Sequence, residues 1–411
     1  MLDCAILGYG NRGSIYAELL AKTKGVKIVC VCDTNAKNLR AAKEKFGLSE
    51  ENCFLDDEEF FKNRRADFIV IATMDRLHIG HTVKAVRLGY DILLEKPIAT
   101  RPEDCDEIER AVSVSGRNKI LVCHVLRYTS FFQKIKELLE SGELGEITSV
   151  SESENIAFVH YWLSFLHGNW HDESEASPII LQKCCHDFDV ISWLIGKKCE
   201  KVSSFGNLAV YKPEQAPEEA KAYCSDCACA EQCLYCGIRI MNTEPLWLQG
   251  YYPEIEMTEE NIRRILSDKT NPFSECAFNG RNNVMTDQIV NMYYEGGIVA
   301  QHLMTGFSSV GRREITIHAA KGEIFGYMSA DKVKIFYRPF QKSETVYDLT
   351  KESSVSGHGG GDKGLIESFV SYLSGENSGA LSTLKDSLMS HRIAFAAEES
   401  RKQGGKVICL P

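Results

Sequence analysis

A lysine ends the apolar run Leu93-Leu94-Glu95-Lys96-Pro97, set between an acid and a proline. Open α/β sheets place ligands at the carboxyl ends of their strands, so a lysine there differs in kind from a solvated surface lysine. Partial burial beside a bound cofactor would lower its pKa and let it accept a proton. Near the start of the chain, Gly8-Tyr9-Gly10-Asn11-Arg12-Gly13 stands between the strand-like Cys4-Ala5-Ile6-Leu7 and Ser14 to Lys24, whose apolar residues keep helical spacing. That strand–turn–helix context gives GxGxxG its meaning as a dinucleotide cradle. Gly8 makes the tight turn, Gly10 lets backbone approach a pyrophosphate, and Gly13 allows close helix–strand packing. The anion would rest on N–H groups at the helix start, around Asn11 and Arg12.

A second strand, Lys27 to Cys32, ends at Asp33. A carboxylate there accepts hydrogen bonds from the adenosine ribose and repels a 2′-phosphate. Asp33, with Thr34 and Asn35, equally suits the cap of a helix starting near Ala36. Lys37 softens the discrimination, so NAD is expected with NADP possible.

Cys224, Cys227, Cys229, Cys233 and Cys236 crowd into one short stretch of a polar, proline-bearing insertion at about 212–274. Two CxxC pairs are the grammar of a tetrahedral thiolate site. Structural zinc on Cys224, Cys227, Cys233 and Cys236 ranks first, an iron–sulfur cluster second, and free thiols or disulfides third. The five-residue gap between the pairs is short for a zinc ribbon, and Cys185 is an alternative fourth ligand. Further on, His358-Gly359-Gly360-Gly361-Asp362 reads as a flexible loop, with Asp362 capping a helix from Leu365 to Leu373.

The elements that must hold these groups alternate. Ala66 to Thr73, Tyr90 to Leu94 and Ile120 to Val125 read as strands, with helices ending at Leu88 and spanning Pro102 to Ser115. Strands alternating with helices predict a doubly wound parallel sheet, an α/β Rossmann domain. At 411 residues the chain exceeds one ordinary core, and division at 1–125 and 126–411 is expected. A formal charge of −10 disfavours nucleic acid or anionic membrane as partners. No apolar run reaches bilayer-spanning length, and the chain opens on a strand. The 16 cysteines, many scattered singly on apolar segments, suit a reducing, cytoplasmic setting.

Gly8-x-Gly10-x-x-Gly13, Asp33, Ala72-Thr73-x-Asp75-x-x-His78 and Glu95-Lys96-Pro97 together resemble the Gfo/Idh/MocA oxidoreductases, the relatives of glucose–fructose oxidoreductase and inositol dehydrogenase. The resemblance implies that Thr73 and His78 line the cofactor cleft, that Glu95-Lys96 carries the signature lysine, and that Lys96–Pro97 is often cis. It implies an α+β second domain entered near Arg127-Tyr128, with an open, mostly antiparallel sheet covering the nicotinamide and joining copies into a homo-oligomer. His186-Asp187-x-Asp189 matches the family's histidine-bearing helix, read here as running from Leu181 through Leu194. Gln182 replaces an aspartate found four residues before that histidine in many members, and glutamine cannot exchange a proton.

The activity implied is hydride transfer between a nicotinamide and a secondary hydroxyl of a sugar, sugar derivative or cyclitol. Lys96 would be the base, with His186 positioning the hydroxyl. Tyr128, His160, Trp170, Gln182, Lys183 and His358 would hold the substrate; His171 stands where some relatives have arginine. Two alternatives remain at this point: an NAD-dependent glycosidase working by transient oxidation and elimination, and a catalytically silent sugar sensor.

Overall fold

In the computed structural model, which describes residues 1–353, 358–376 and 382–411, the first six strands form one parallel sheet. They are β1 (Leu2–Leu7), β2 (Val26–Cys32), β3 (Cys53–Phe54), β4 (Phe68–Ile71), β5 (Asp91–Leu94) and β6 (Ile120–Val122), in the order β3-β2-β1-β4-β5-β6. β4 is a continuous buried apolar run, and β1 and β5 are buried and apolar from Cys4 and Ile92 to their ends, as expected of a sheet covered on both faces. Helices Asn11–Lys22, Ala36–Phe46, His78–Leu88 and Pro102–Ser115 make the crossovers.

The second sheet has nine strands among the described residues. They are β7 (Ile147–Ala157), β8 (Cys199–Asn207), β9 (Asp287–Tyr294), β10 (Ile298–Ser308), β11 (Arg312–Ala319), β12 (Gly322–Ser329), β13 (Val333–Pro339), β14 (Thr345–Asp348) and β15 (Ile408–Cys409). Their order is β14-β13-β12-β11-β7-β10-β9-β8-β15. Only the β7–β10 pair is parallel; the others are antiparallel. Along β10, Ile298, Ala300, His302 and Met304 are buried while Val299, Gln301 and Leu303 are exposed. One face therefore packs on the helices and the other is open, with Tyr293, Val299 and Leu303 on it.

The chain returns to the first sheet at its end. Leu365, Ile366 and Phe369 of the helix Gly361–Leu373 join the core on one face, and Leu384 and Leu388 of the helix Leu384–Lys402 join the core on the other. Ser382 O accepts from Val122 N at 2.9 Å, extending the β6 edge. Several boundaries differ from the sequence reading. β6 ends at Val122, and Val125–Tyr128 is a tight helical turn. Asp362 caps nothing, because the helix begins at Gly361 and its carboxylate is taken by an arginine described below.

The glycine turn shows why those residues lack side chains. Gly8 has φ +88°, and a Cβ there would lie 2.5 Å from Ala72 O. A Cβ on Gly13 would lie 1.8 Å from Gly8 O, whereas one on Gly10 meets nothing within 4 Å. Gly13→Ala therefore forces backbone apart and should cost roughly 1–3 kcal/mol or more, lowering the melting temperature by several degrees in calorimetry. Gly10→Ala should melt like the parent protein and lose affinity for the dinucleotide. Equal melting temperatures for Gly13→Ala and the parent would contradict the packing role.

Candidate active site

The helix after the glycine turn starts at Asn11 with no side chain capping it; its N-cap is Gly10. Its first N–H groups are thus left for an anion. Asp33, at the end of β2, accepts from Tyr9 N at 2.6 Å and Asn35 N at 2.7 Å. The next helix is capped by Asn35, whose side chain accepts from Lys37 N. Asp33 is thereby a brace of the glycine turn rather than a helix cap. Lys37 reaches out to Glu254 at 3.1 Å, on the surface. These features fit the pyrophosphate and ribose of a dinucleotide: an open edge at Gly10, free N–H groups, and a half-buried carboxylate at the strand end.

Arg12 does not extend toward that cradle. Its Nε donates to Glu95 Oε1 at 2.9 Å, and its Nη2 donates to Tyr16 Oη at 2.5 Å and to Asp362 Oδ1 at 2.5 Å. Glu95 also accepts from Tyr16 Oη at 2.7 Å and from Lys96 N at 2.7 Å. Burial opposes the charge on Glu95, but Arg12 and Lys96 outweigh it and hold its pKa below the ordinary value. Asp362 is likewise buried, and His358 and Arg12 together pull its pKa down to about 2.

Beyond Glu95 the Lys96–Pro97 peptide is cis. The His78 ring spans Pro97 O at 2.6 Å and Thr73 O at 3.0 Å, tying this turn to the end of β4; Thr73 Oγ1 meets His81 Nδ1 at 3.0 Å. Lys96 Nζ crosses to the second domain and donates to the backbone oxygen of Gln182 at 2.8 Å. The helix read from the sequence as continuous is broken here, into Ile179–Gln182 and Cys185–Ile195 with a turn at Lys183 and Cys184. It is the Gln182 carbonyl, not its side chain, that meets the lysine.

His186 opens the second of these helices. Its ring packs 5.5 Å from His124 and 6.3 Å from His358, and its Nδ1 is buried with no protein partner. Burial, then Lys96, His124 and His358, push its pKa well below the usual value, so the ring is neutral. Asp189 receives both arms of Arg127 at 2.6 and 2.7 Å, which pins this helix to the Val125–Tyr128 turn. Asp187 receives Arg313 Nε at 2.5 Å. Arg313 also pairs with Glu154 at 2.9 Å, as Lys183 does at 3.3 Å.

His160 lies among these cations. Burial comes first and Lys183 and Lys96 next in pushing its pKa well down. Trp247, from the insertion, stacks on it at 5.0 Å. Trp170 reaches the same wall through Phe165, at 6.3 Å from that ring. His358 stands at φ +46°, a strained conformation for a side-chain-bearing residue, with Nδ1 3.3 Å from Asp362.

The structure thus gathers Glu95, Lys96, Gln182, Lys183, His186, His160 and His358. Tyr128 is not among them: its hydroxyl meets Ser382, accepting from the backbone N at 3.2 Å. Arg313 and Trp247 were missed in the sequence because each comes from a distant segment; alternating burial marked β11, but nothing marked Arg313 as facing the cleft. Cys185 is buried beside Lys96 and Asp187, away from the insertion cysteines. Cys224, Cys227, Cys233 and Cys236 line one small cavity, but no three of their sulfurs lie within 4.8 Å of one another.

The six-stranded parallel sheet has the strand order of a dinucleotide-binding domain, and Lys96 reaches from its carboxyl edge to the backbone just before the helix of His186. Residues 2–122 match the model of the Gfo/Idh/MocA oxidoreductase family's NAD-binding Rossmann fold, and residues 136–410 match that of its C-terminal α/β domain. The chain belongs to this family, whose enzymes are NAD(P)-dependent and act on CH–OH groups.

A putative oxidoreductase, YteT, of Bacillus subtilis is 24% identical over 364 residues, covering 83% of this chain and 81% of that one. An inositol 2-dehydrogenase of Salmonella paratyphi B is 26% identical over 52% of this chain and 59% of its own length. A 2,7-anhydro-N-acetylneuraminate hydratase of Escherichia coli is 26% identical over 51% and 54%. This chain therefore spans little more than half the length of those last two relatives. A crystal structure of an oxidoreductase from Agrobacterium radiobacter in complex with NAD+, L-tartaric acid and magnesium superposes with a TM-score of 0.71 at 15% identity, covering 99% of this chain and 98% of that one. No described helix is long and apolar enough to cross a membrane.

The Asp362 pairing carries a pH signature. Its folded pKa of about 2 lies below the ordinary value of about 3.9, so it contributes stability above pH 4 that fades as pH falls toward 2. Asp362→Asn should cost about 2 kcal/mol at pH 7 in denaturant titrations, and the gap should close between pH 4 and 2. A gap independent of pH would contradict the ion pair.

Proposed function

We propose that the protein transfers a hydride between the nicotinamide of NAD and a secondary hydroxyl of a sugar, sugar derivative or cyclitol, and that its substrate carries a carboxylate. The single observation behind this reading is Lys96 poised at the end of β5, 2.8 Å from the Gln182 carbonyl, with the unpartnered nitrogen of His186 near it. Loss of hydride from a carbinol carbon needs its hydroxyl proton removed at the same time. Lys96 is the acceptor of that proton, and the neutral His186 holds the hydroxyl in line. NAD, when bound, supplies the hydride-accepting ring. Gly8, Gly10, Gly13 and the N–H groups of Asn11 and Arg12 hold its pyrophosphate, Asp33 its ribose, and Thr73, His78 and Glu95 line the way to Lys96. His160, Trp170, Trp247 and His358 wall the substrate.

The carboxylate is inferred from Lys183 and Arg313. Both stand near His160; among the described residues Lys183 pairs with Glu154, and Arg313 with Glu154 and Asp187. Arg313 is engaged by Asp187 and Glu154, and Lys183, held by Glu154 at 3.3 Å, is the cation that would meet a bound carboxylate. The names of two similar proteins, a neuraminate hydratase and an oxidoreductase holding L-tartaric acid, support an acidic substrate.

With NAD and a panel of hexuronic acids, aldohexoses and inositols, NADH should form with at least one acid, with kcat/KM at least tenfold above its neutral counterpart. Lys183→Met should erase that preference. Lys96→Met should lower kcat by about a hundred- to ten-thousandfold while NAD affinity stays within a few-fold. Undiminished turnover in Lys96→Met would sink the assignment of the base, and equal use of neutral sugars would sink the carboxylate.

A second reading keeps the same first step and ends without net redox: transient oxidation, elimination or addition of water, then return of the hydride. Gln182, which cannot exchange protons, and the hydratase relative favour keeping it. Product formation without NADH accumulation in the same panel would select it. We also assign the open sheet face to a second copy of the chain. Val299→Glu, an exposed position on that face, should convert a larger species to monomer in light scattering. A parent protein already monomeric would refute this.

A further inference from the structure

The insertion between β8 and β9 holds a second cluster, remote from the cleft chemistry in residue type. Cys224, Cys227, Cys229, Cys233, Cys236 and Cys276 line one small cavity, and none is in a disulfide. Cys276 arrives from the far end of the insertion. Its segment is tied to the first by a β-bridge between Tyr223 and Glu275, and by Cys276 N donating to Ala222 O at 2.9 Å.

Two features distinguish this cluster from packed thiols. One backbone donor points at the cluster from beside it. Lys221 N–H donates to Cys227 Sγ at 3.1 Å, and Cys224 Sγ lies 3.8 Å from Glu275 O, next to Cys276. A neutral thiol is a weak acceptor; such donors are the outer support that thiolate ligands of metals receive. Cys224, Cys236 and Cys276 are buried, whereas Cys229 and Cys233 are only half-buried. The lining also contains no lysine, arginine or histidine, is almost wholly apolar, and encloses room for about one water-sized sphere. Thiolates gathered there would repel one another and forgo hydration. A cation among them would remove both costs.

We propose that Cys224, Cys227, Cys236 and Cys276 bind a single zinc ion that fastens the two ends of the insertion together. Four thiolates suit zinc and leave no open coordination position, so the role is structural. The small enclosed volume suits one ion rather than an iron–sulfur cluster. Zn–S bonds of about 2.3 Å put tetrahedral sulfurs about 3.8 Å apart, whereas no three of these sulfurs now lie within 4.8 Å of one another, so the ion draws the two segments together. This set differs from the four predicted from the CxxC pairs: Cys276 replaces Cys233.

The full chain, purified without chelators, should carry close to one zinc per chain by mass-spectrometric elemental analysis. A mercurial should release it, read by a chromogenic zinc indicator. Cys276→Ser should lose most of the zinc, whereas Cys233→Ser and the remote Cys185→Ser should retain it. Stoichiometric iron with visible absorbance near 400 nm would overturn the choice of zinc. Six freely titrating thiols with no metal, or disulfides among them by peptide mapping, would overturn the site. Zinc lost from Cys233→Ser and kept by Cys276→Ser would overturn the ligand set. Should Cys276→Ser not fold, the parent protein's metal content and thiol titration decide alone.

Discussion

One guanidinium holds three distant parts of the chain in register. Arg12 belongs to the glycine turn's helix start, Glu95 precedes Lys96, and Asp362 lies in the first turn of the helix that follows His358. All three meet in a largely buried cluster with Tyr16. Desolvating such charges is expensive, and the cost is offset only when every partner is present and well aligned. Removing one leaves an uncompensated buried charge, so the network enforces a single relative placement of the glycine turn, Lys96 and the His358 turn. The Arg127–Asp189 pair plays the same part for the helix that carries His186.

That placement sets the electrostatics of the cleft. Lys96, Lys183 and Arg313 bring positive charge, which together with burial keeps His186 and His160 neutral. A neutral imidazole can accept or donate a hydrogen bond to a hydroxyl, which an imidazolium cannot do in both directions. In the proposed account Lys96 on the first domain takes the proton and His186 on the second holds the hydroxyl. The site is complete only where the two domains meet.

Local features were legible in the sequence. The glycines at 8 and 13 announce a turn because only glycine fits there, and continuous apolar runs announce buried parallel strands. Lys96 could be singled out because a strand end is a defined place. What the sequence hid is made by long-range packing. The break at Lys183–Cys184 turns the Gln182 carbonyl to the lysine, and no glycine or proline marks it. Arg12, read as part of the cofactor cradle, spends its side chain on Glu95 and Asp362. Arg313, Trp247 and Cys276 join their clusters from segments with no local pattern to reveal it. The C-terminal helices complete the core of the first sheet, which periodicity alone cannot show.

Both readings of the activity pass through reduction of the nicotinamide by substrate, with Lys96 taking the proton. Stopped-flow mixing of the protein and NAD with the best acid from the substrate panel tests this directly, following absorbance at the wavelength of reduced nicotinamide within one turnover. A burst of NADH should appear in the parent protein, whether it persists or decays, and should be absent from Lys96→Met. Product formed with no reduced nicotinamide at any time, or an undiminished burst in Lys96→Met, would contradict the account.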